Sequence, residues 1–338
     1  MFPRACVRIE KDHCVMQTRE ERSIACLKGL ATGDAIGKQT EGLARAHIAQ
    51  WYPDGVRGFH GQPGTVIPRY GGTRYEWKVG ETTDDTEQAI AVALALLQTG
   101  GSASHVAVGE ALMACRKSNR PTLALGRFQQ RGDPSSTCRE GDGCGAAMRV
   151  APVGLIYASQ DVPALVEAAI QTSIPTHGGQ LALAGAAAVA AAVSAAIAGQ
   201  TPDEILTLTV AAAQRAERYR PSPSQEHMAA AIERIYEQLV QAHSDLPRRL
   251  RQPDCFPDRT AVIVPLAVSL ALVARSAEET ALLAANSGGD TDSVAAIGSA
   301  IAGALRPDSV NEVWYQVVQG VNQHDLTTLA CRLIALRP

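Results

Sequence analysis

Apolar residues recur at helical spacing along most of the chain. From Arg19 to Leu30, Ile24, Ala25, Leu27 and Leu30 alternate with charged positions, which predicts a helix running into Gly29 and Gly33. The same period predicts helices at about 87–98, 103–117, 161–172, 179–198, 202–216, 224–243, 260–274, 277–285, 293–304 and 309–319. Between Ala46 and Gly80 the pattern breaks, and Gly and Pro alternate with the lone aromatics Trp51, Tyr52, Phe59, Tyr70, Tyr75 and Trp77. A structureless stretch of that length reads as a functional loop or lid. Asp133–Gly143 and Arg218–Ser224 read as turns, and neither has the character of a domain linker. The expectation is an all-α fold in one helical domain, 21–338, preceded by an N-terminal extension at 1–20.

Composition sharpens this picture. Of 338 residues 46% are hydrophobic and 19% charged, enough apolar surface to offset the ordering entropy, which excludes a disordered or collagen-like chain. Aromatics make up only 4% while Ala runs abound, favouring closely packed helices over strands. The uncharged segment Leu181–Gly199 is long enough to span a membrane, but it is mostly Ala and its flanks lack an aromatic belt, so a central buried helix is expected. Lys and Arg total 31 against 34 Asp and Glu, a net charge of -3, which gives no global field to draw in nucleic acid or an anionic membrane. Met1–His13 has no continuous apolar run, so no secretory signal is read and a cytoplasmic location is expected. The 8 cysteines are scattered without a C-x-x-C pair, pointing to free thiols.

Candidate chemistry centres on two acidic segments, each directly before an apolar helix: Thr83-Asp84-Asp85-Thr86 and Gly288-Gly289-Asp290-Thr291-Asp292-Ser293. Either alone reads as helix capping. Capping needs only one oxygen, however, and a second carboxylate adds repulsion that a hard cation resolves. Mg²⁺ or Mn²⁺ takes oxygen ligands, and two such loops can hold two ions about 3.5 to 4 Å apart. Gly288 and Gly289 would let backbone approach the metal or a ligand.

Three further segments carry weaker signals. Gly29–Glu41 combines small residues with Asp34 and Glu41. Gly143-Cys144-Gly145-Ala146-Ala147-Met148-Arg149 is a Gly-rich turn whose bare N–H groups can hold a phosphate or diphosphate, or simply make a turn. His177, ahead of the Ala-rich helix, reads as a capping, core or functional histidine.

Taken together, GDAIGKQTE at Gly33–Glu41, TDDT at Thr83–Thr86, GCGAAMRVAPVG at Gly143–Gly154, Thr176-His177 and GGDTDS at Gly288–Ser293 resemble the ADP-ribosylglycohydrolase family. The resemblance implies an orthogonal all-α bundle with a binuclear Mg²⁺ site that cleaves ADP-ribose from a modified side chain. It implies Thr83, Asp84, Asp85, Asp290, Asp292 and Ser293 as metal ligands, with Glu41 beside them. It also implies Gly143, Cys144, Gly145, Ala146 and Met148 around the diphosphate, with His177 near a ribose. Cys144 departs from the Asn common in the family's GNGAAMR pattern, Ser293 from the second Thr of GGDTDT, and Gly179-Gln180 from the usual continuation after the histidine.

Cleavage at the C1″ of a ribose passes through an oxocarbenium-like state that needs a held sugar and an activated water. Two cations can bind the ribose hydroxyls and lower the pKa of a water while a carboxylate takes its proton. Glu41, Asp85 and Asp292 are the candidate bases, and sequence does not choose among them. The preferred reading is a Mg²⁺-dependent hydrolase of ADP-ribosylated protein, with arginine the expected linkage and Mn²⁺ the alternative ion. A binding or immunity protein that occludes an ADP-ribosylating toxin through residues 1–20 is the second reading, and a metal-dependent phosphatase the third.

Overall fold

The computed structural model describes residues 17–118, 141–222 and 226–338. Among them helix is the regular structure, and β pairing is limited to two isolated bridges, Leu43 with Gly289 and Val66 with Lys78. The all-α expectation holds. Residues 1–16 of the expected extension, and most of the turn expected at 133–143, lie outside the described residues.

The Ala-rich segment forms helix Gln180–Ile197, in which every residue from Ala182 onward is buried. Helices Pro202–Tyr219, Ala151–Ile156, Val162–Ser173 and Thr260–Val273 pack around it. Small side chains let these neighbours approach closely, so a helix apolar enough to cross a membrane is instead the centre of the core.

The first helix runs Arg19–Gly37, past the stop expected at Gly29 and Gly33. Thr18 and Glu21 form a reciprocal capping box at its start. The glycines do not end the helix because they serve close packing. A Cβ on Gly29, Gly33 or Gly37 would meet the carbonyl oxygen of Ser299, Ala295 or Thr291 at 2.3, 2.2 or 2.4 Å. At four-residue spacing these glycines share one face, and along it the first helix lies backbone to backbone against helix Thr291–Leu305. That contact sets Asp34 and the turn at 38–41 beside the GGDTDS segment.

Other departures are local. The helix expected at 103–117 spans only His105–Leu112. The Glu87 carboxylate accepts the N–H groups of Arg116 and Lys117 at 2.9 Å each and so draws that backbone out of helical pairing. Within the expected loop, helix Arg45–Trp51 and a 3₁₀ turn at Pro68–Tyr70 form. The loop is fastened to the 38–41 turn by the Arg69 guanidinium, which donates to the carbonyls of Gln39 (3.0 Å), Lys38 (3.2 Å) and Glu41 (2.7 Å). Helix Leu326–Ile334, with Leu326, Leu329, Ala330 and Leu333 on one buried face, was not expected.

Candidate functional site

Five helix starts surround one cleft of about 710 Å³. Its wall takes Asp84 and Asp85 from the start of helix Asp84–Gln98, Gly143 to Gly145 from the start of Gly145–Met148, and Thr176 and His177 from just before Gln180–Ile197. Pro257 and Asp258 come from just before Thr260–Val273, and Asp290, Asp292 and Ser293 from the start of Thr291–Leu305. The free N–H groups and positive dipole ends of these helices favour anions between them. Glu41, Met148 and Gly289 complete the expected set on the wall.

The carboxylates of Asp84, Asp85 and Asp290 are not spent on capping, while Asp292 Oδ1 accepts the Ser293 N–H at 3.1 Å. At the first, Thr83 Oγ1 accepts from the Asp85 N–H at 3.1 Å, and Asp34 reaches over from the first helix to accept the Thr83 N–H at 2.9 Å and the Thr86 N–H at 3.1 Å. The Asp84 and Asp85 carboxylates are thereby left for the cleft. Asp85 is 2% exposed, and its Oδ1 has no hydrogen-bond partner among the described residues. At the second loop, Asp290 occupies the N-cap position without making a side-chain cap bond. Thr291 turns to the core instead, donating to the Gly37 carbonyl at 2.8 Å, which leaves Asp290, Asp292 and Ser293 on the wall.

Crowding of carboxylates marks the electrostatics. Burial, then the charge of Asp34, pushes the Asp84 carboxyl up to about 6. Burial, then Asp34, Asp84 and Asp290, holds Asp85 well above the usual carboxylate range, and burial with Glu41, Asp290 and Asp85 does the same for Asp292. Asp34 is raised as well, by burial, although the bonds from Thr86 and Thr83 favour its charge. Lys38 is a cation beside them. Burial opposes its charge, but Asp292 and Glu41 outweigh burial and raise its pKa; the ammonium pairs with Glu41 and lies 4.0 Å from the centre of the Trp77 ring.

A hydrogen-bonded chain ties the acidic loop to the other motifs. Asp84 Oδ2 accepts from Gln88 at 3.1 Å, and Gln88 Oε1 accepts from the buried Arg149 at 2.7 Å. Arg149 also donates to Thr176 Oγ1 at 2.5 Å, which lies 2.7 Å from His177 Nδ1. The histidine ring packs close against the Gly-rich turn: a Cβ on Gly145 would meet its Cε1 at 2.7 Å, so a side chain there would displace the ring. Asp142 Oδ1 accepts the Ala182 N–H at 3.0 Å and anchors the same turn to the central helix.

Three residues expected in the site stand behind its wall. Thr83 and Ala146 are buried away from the cleft, and Gly288 packs at φ +79° against the Leu43 carbonyl and Phe256. Lys38, Trp77, Gln88 and Lys117 line the cleft without having been singled out. Gln88 stands one helical turn after Asp84 and Lys38 lies within the Gly33–Glu41 segment, whereas Trp77 and Lys117 come from segments with no sequence link to the acidic loops.

The donor set fits a hard divalent cation: buried carboxylate oxygens from two loops, one of them partnerless, with a serine hydroxyl beside them. As they stand, no three His, Cys, Asp or Glu side chains among the described residues form a closed ligand group. The wall is an acidic lining rather than a finished coordination shell. A second cleft of about 780 Å³, between Lys78, Lys117 and helix Glu312–Asn322, lacks paired carboxylates and carries no such chemistry.

A family model described as ADP-ribosylglycohydrolase matches residues 16–338. The uncharacterized protein YegU of Escherichia coli is 29% identical over 333 residues, covering 94% of this chain and 98% of its own. An uncharacterized protein of Archaeoglobus fulgidus is 33% identical over 334 residues, covering 94% and 97%. The ADP-ribosyl-(dinitrogen reductase) glycohydrolase of Rhodospirillum rubrum is 31% identical over 142 residues, 40% of this chain and 44% of that protein. A solved structure of an ADP-ribosylglycohydrolase-related protein complex is similar at a TM-score of 0.68 with 26% identity, covering 95% of this chain and 99% of that one.

Proposed function

The chain belongs to the ADP-ribosylglycohydrolase family, and we propose that it is a Mg²⁺-dependent hydrolase that removes ADP-ribose from modified protein side chains, with ADP-ribosyl-arginine the favoured linkage. The observation that carries this reading is the placement of Asp84, Asp85, Asp290 and Asp292, from loops far apart in sequence, on one cleft wall, with capping delegated to Thr83 and Asp34. Asp84, Asp85, Asp290, Asp292 and Ser293 would hold the cations, and Thr83 steadies Asp85 from behind. Bound there, divalent ions supply positive charge to ribose hydroxyls and a water of lowered pKa.

The remaining steps fall to the chain's own groups. The Gly143–Gly145 turn offers backbone N–H groups to a diphosphate, and His177, oriented through Thr176 and Arg149, faces the same turn and suits a ribose hydroxyl. Glu41 is the most exposed of the candidate bases, with 37% of its side chain open, and Lys38 holds its carboxylate in place. As the water oxygen bonds to C1″ and the C1″–N bond breaks, the water's proton passes to Glu41 and the bond's electron pair leaves with the substrate guanidinium, which departs as neutral guanidine. A modified protein as substrate accords with the Rhodospirillum rubrum relative, a glycohydrolase of ADP-ribosyl-(dinitrogen reductase), and the arginine linkage extends that reading. Incubation with arginine-, serine- and O-acetyl-linked ADP-ribose, with Mg²⁺ and with EDTA, tests both points. Free ADP-ribose released from the arginine conjugate only in Mg²⁺ is expected, and release from another conjugate alone would overturn the linkage.

A further inference from the structure

Arg149 is buried, and its guanidinium carries N–H donors and no acceptor, so each group it hydrogen-bonds has to accept. Gln88 accepts through Oε1 at 2.7 Å, which turns its amide N–H groups toward Asp84 Oδ2 at 3.1 Å. Thr176 accepts through Oγ1 at 2.5 Å and keeps one hydrogen to give. The other side-chain partner of that oxygen among the described residues is His177 Nδ1, at 2.7 Å. Were Nδ1 to carry a proton, the Thr176 oxygen would accept twice and its own buried hydrogen would have no acceptor among the described residues, which is costly. The hydroxyl therefore donates to Nδ1, and a neutral imidazole then keeps its proton on Nε2. That edge of the ring borders the Gly-rich turn: a Cβ on Gly143 or Gly145 would stand 3.4 or 2.9 Å from Nε2.

We propose that Thr176, polarised by Arg149, is a positioning residue that holds His177 in its Nε2–H form, so that the imidazole donates a hydrogen bond to an acceptor oxygen in the cleft. His177 lines the cleft beside Gly143 and Gly145, where the opposite tautomer would present a lone pair to the same oxygen and repel it. An ADP-ribosyl group offers two such acceptors, a diphosphate oxygen and a ribose hydroxyl. Naming that ligand rests on the hydrolase reading; the form of the ring rests on Arg149 and Thr176 alone.

The test uses the full chain with isotope-labelled histidine in Mg²⁺, reading by nuclear magnetic resonance which ring nitrogen carries hydrogen, with His177→Gln to identify the signals. Wild type and Thr176→Ser should show a protonated Nε2 and a bare Nδ1. In Thr176→Asp a carboxylate accepts from Arg149 but has no hydrogen to give, so the proton should move to Nδ1 and the affinity for ADP-ribose should fall by about tenfold, with Thr176→Ser as the conservative rescue. ADP-ribose should shift the wild-type Nε2 signal; the same shift with ADP assigns the oxygen to the diphosphate, and a shift with ADP-ribose alone assigns it to the distal ribose. A wild type with its proton on Nδ1 would overturn the proposal whether or not Thr176→Asp folds, as would a folded Thr176→Asp chain that keeps a bare Nδ1. An Nε2 signal unmoved by bound ADP-ribose would overturn the donor role. A wild type that carries the Nε2 proton but binds no ADP-ribose would overturn the hydrolase reading and uphold the hold of Thr176 on the ring.

Discussion

Asp34, near the end of the first helix, accepts the backbone N–H of Thr83 at 2.9 Å and so closes the start of a helix that is not its own. The same carboxylate accepts from the Thr86 N–H at 3.1 Å and the Thr86 hydroxyl at 2.5 Å. One buried acid thereby satisfies the donors that Asp84 and Asp85 would otherwise have to cap. Replacing it with Ala strands three buried donors, each costing about 1–3 kcal/mol. Asp34→Ala should lower the thermal midpoint in chelator markedly and weaken divalent-ion binding, whereas Asp34→Asn, which keeps one acceptor oxygen, should fall between it and wild type.

The glycine face predicts opposite signs for one substitution at two positions. Gly33→Ala forces a methyl to within 2.2 Å of the Ala295 carbonyl oxygen and should destabilise by about 3 kcal/mol or more as the two helices are pushed apart. At Gly320, in helix Glu312–Asn322, a Cβ meets nothing within 4 Å, so Gly320→Ala should stabilise by up to about 1 kcal/mol through helix propensity. Denaturant midpoints of the two variants provide the comparison.

Raised carboxyl pKa values give the metal-free protein a pH dependence of known sign. Asp84 holds its proton to about 6 when folded, against an ordinary 3.8, so between those values the folded state binds the more protons and stability falls as pH rises. Asp85 and Asp292 are shifted in the same direction. A cation binds the ionised forms and reverses the effect. The thermal shift that saturating Mg²⁺ gives over EDTA should therefore be small below about pH 5 and grow through pH 6 to 7. A shift that is constant across that range would contradict the assignment.

Glu41→Gln retains size and one acceptor but cannot take a proton. Turnover should fall by about 10² to 10⁴ with metal binding largely preserved. Near-normal turnover would transfer the role of base to Asp85 or Asp292.

The acidic loops were legible in the sequence because both readings of them, capping and cation binding, call for acid at a helix start. What decided between the readings was Asp34, a residue on a different helix whose contact with Thr83 depends on the fold. Glycine weakens an isolated helix, so the sequence alone predicts an end at Gly29 and Gly33, whereas the partner that requires glycine there, around Ala295, lies near the far end of the chain. A lone Lys and a lone aromatic carry no signal by themselves; Lys38, at the end of the first helix, pairs with Glu41, and the loop brings Trp77 against its ammonium. Helix Leu326–Ile334 was readable in its spacing of Leu326, Leu329, Ala330 and Leu333. Thr83, Ala146 and Gly288 share motifs with wall residues, but the Thr83 and Ala146 side chains are buried behind the wall and the Gly288 backbone packs against Leu43 and Phe256.

Cation binding by the two acidic loops acting together is the claim on which the rest depends, and calorimetric titration of the metal-free chain with Mn²⁺ tests it most directly. Two ions per chain are expected for wild type, with binding largely lost in Asp85→Ala and again in Asp292→Ala, because each loop supplies ligands that the other cannot replace. An unchanged stoichiometry in both variants would contradict the shared site.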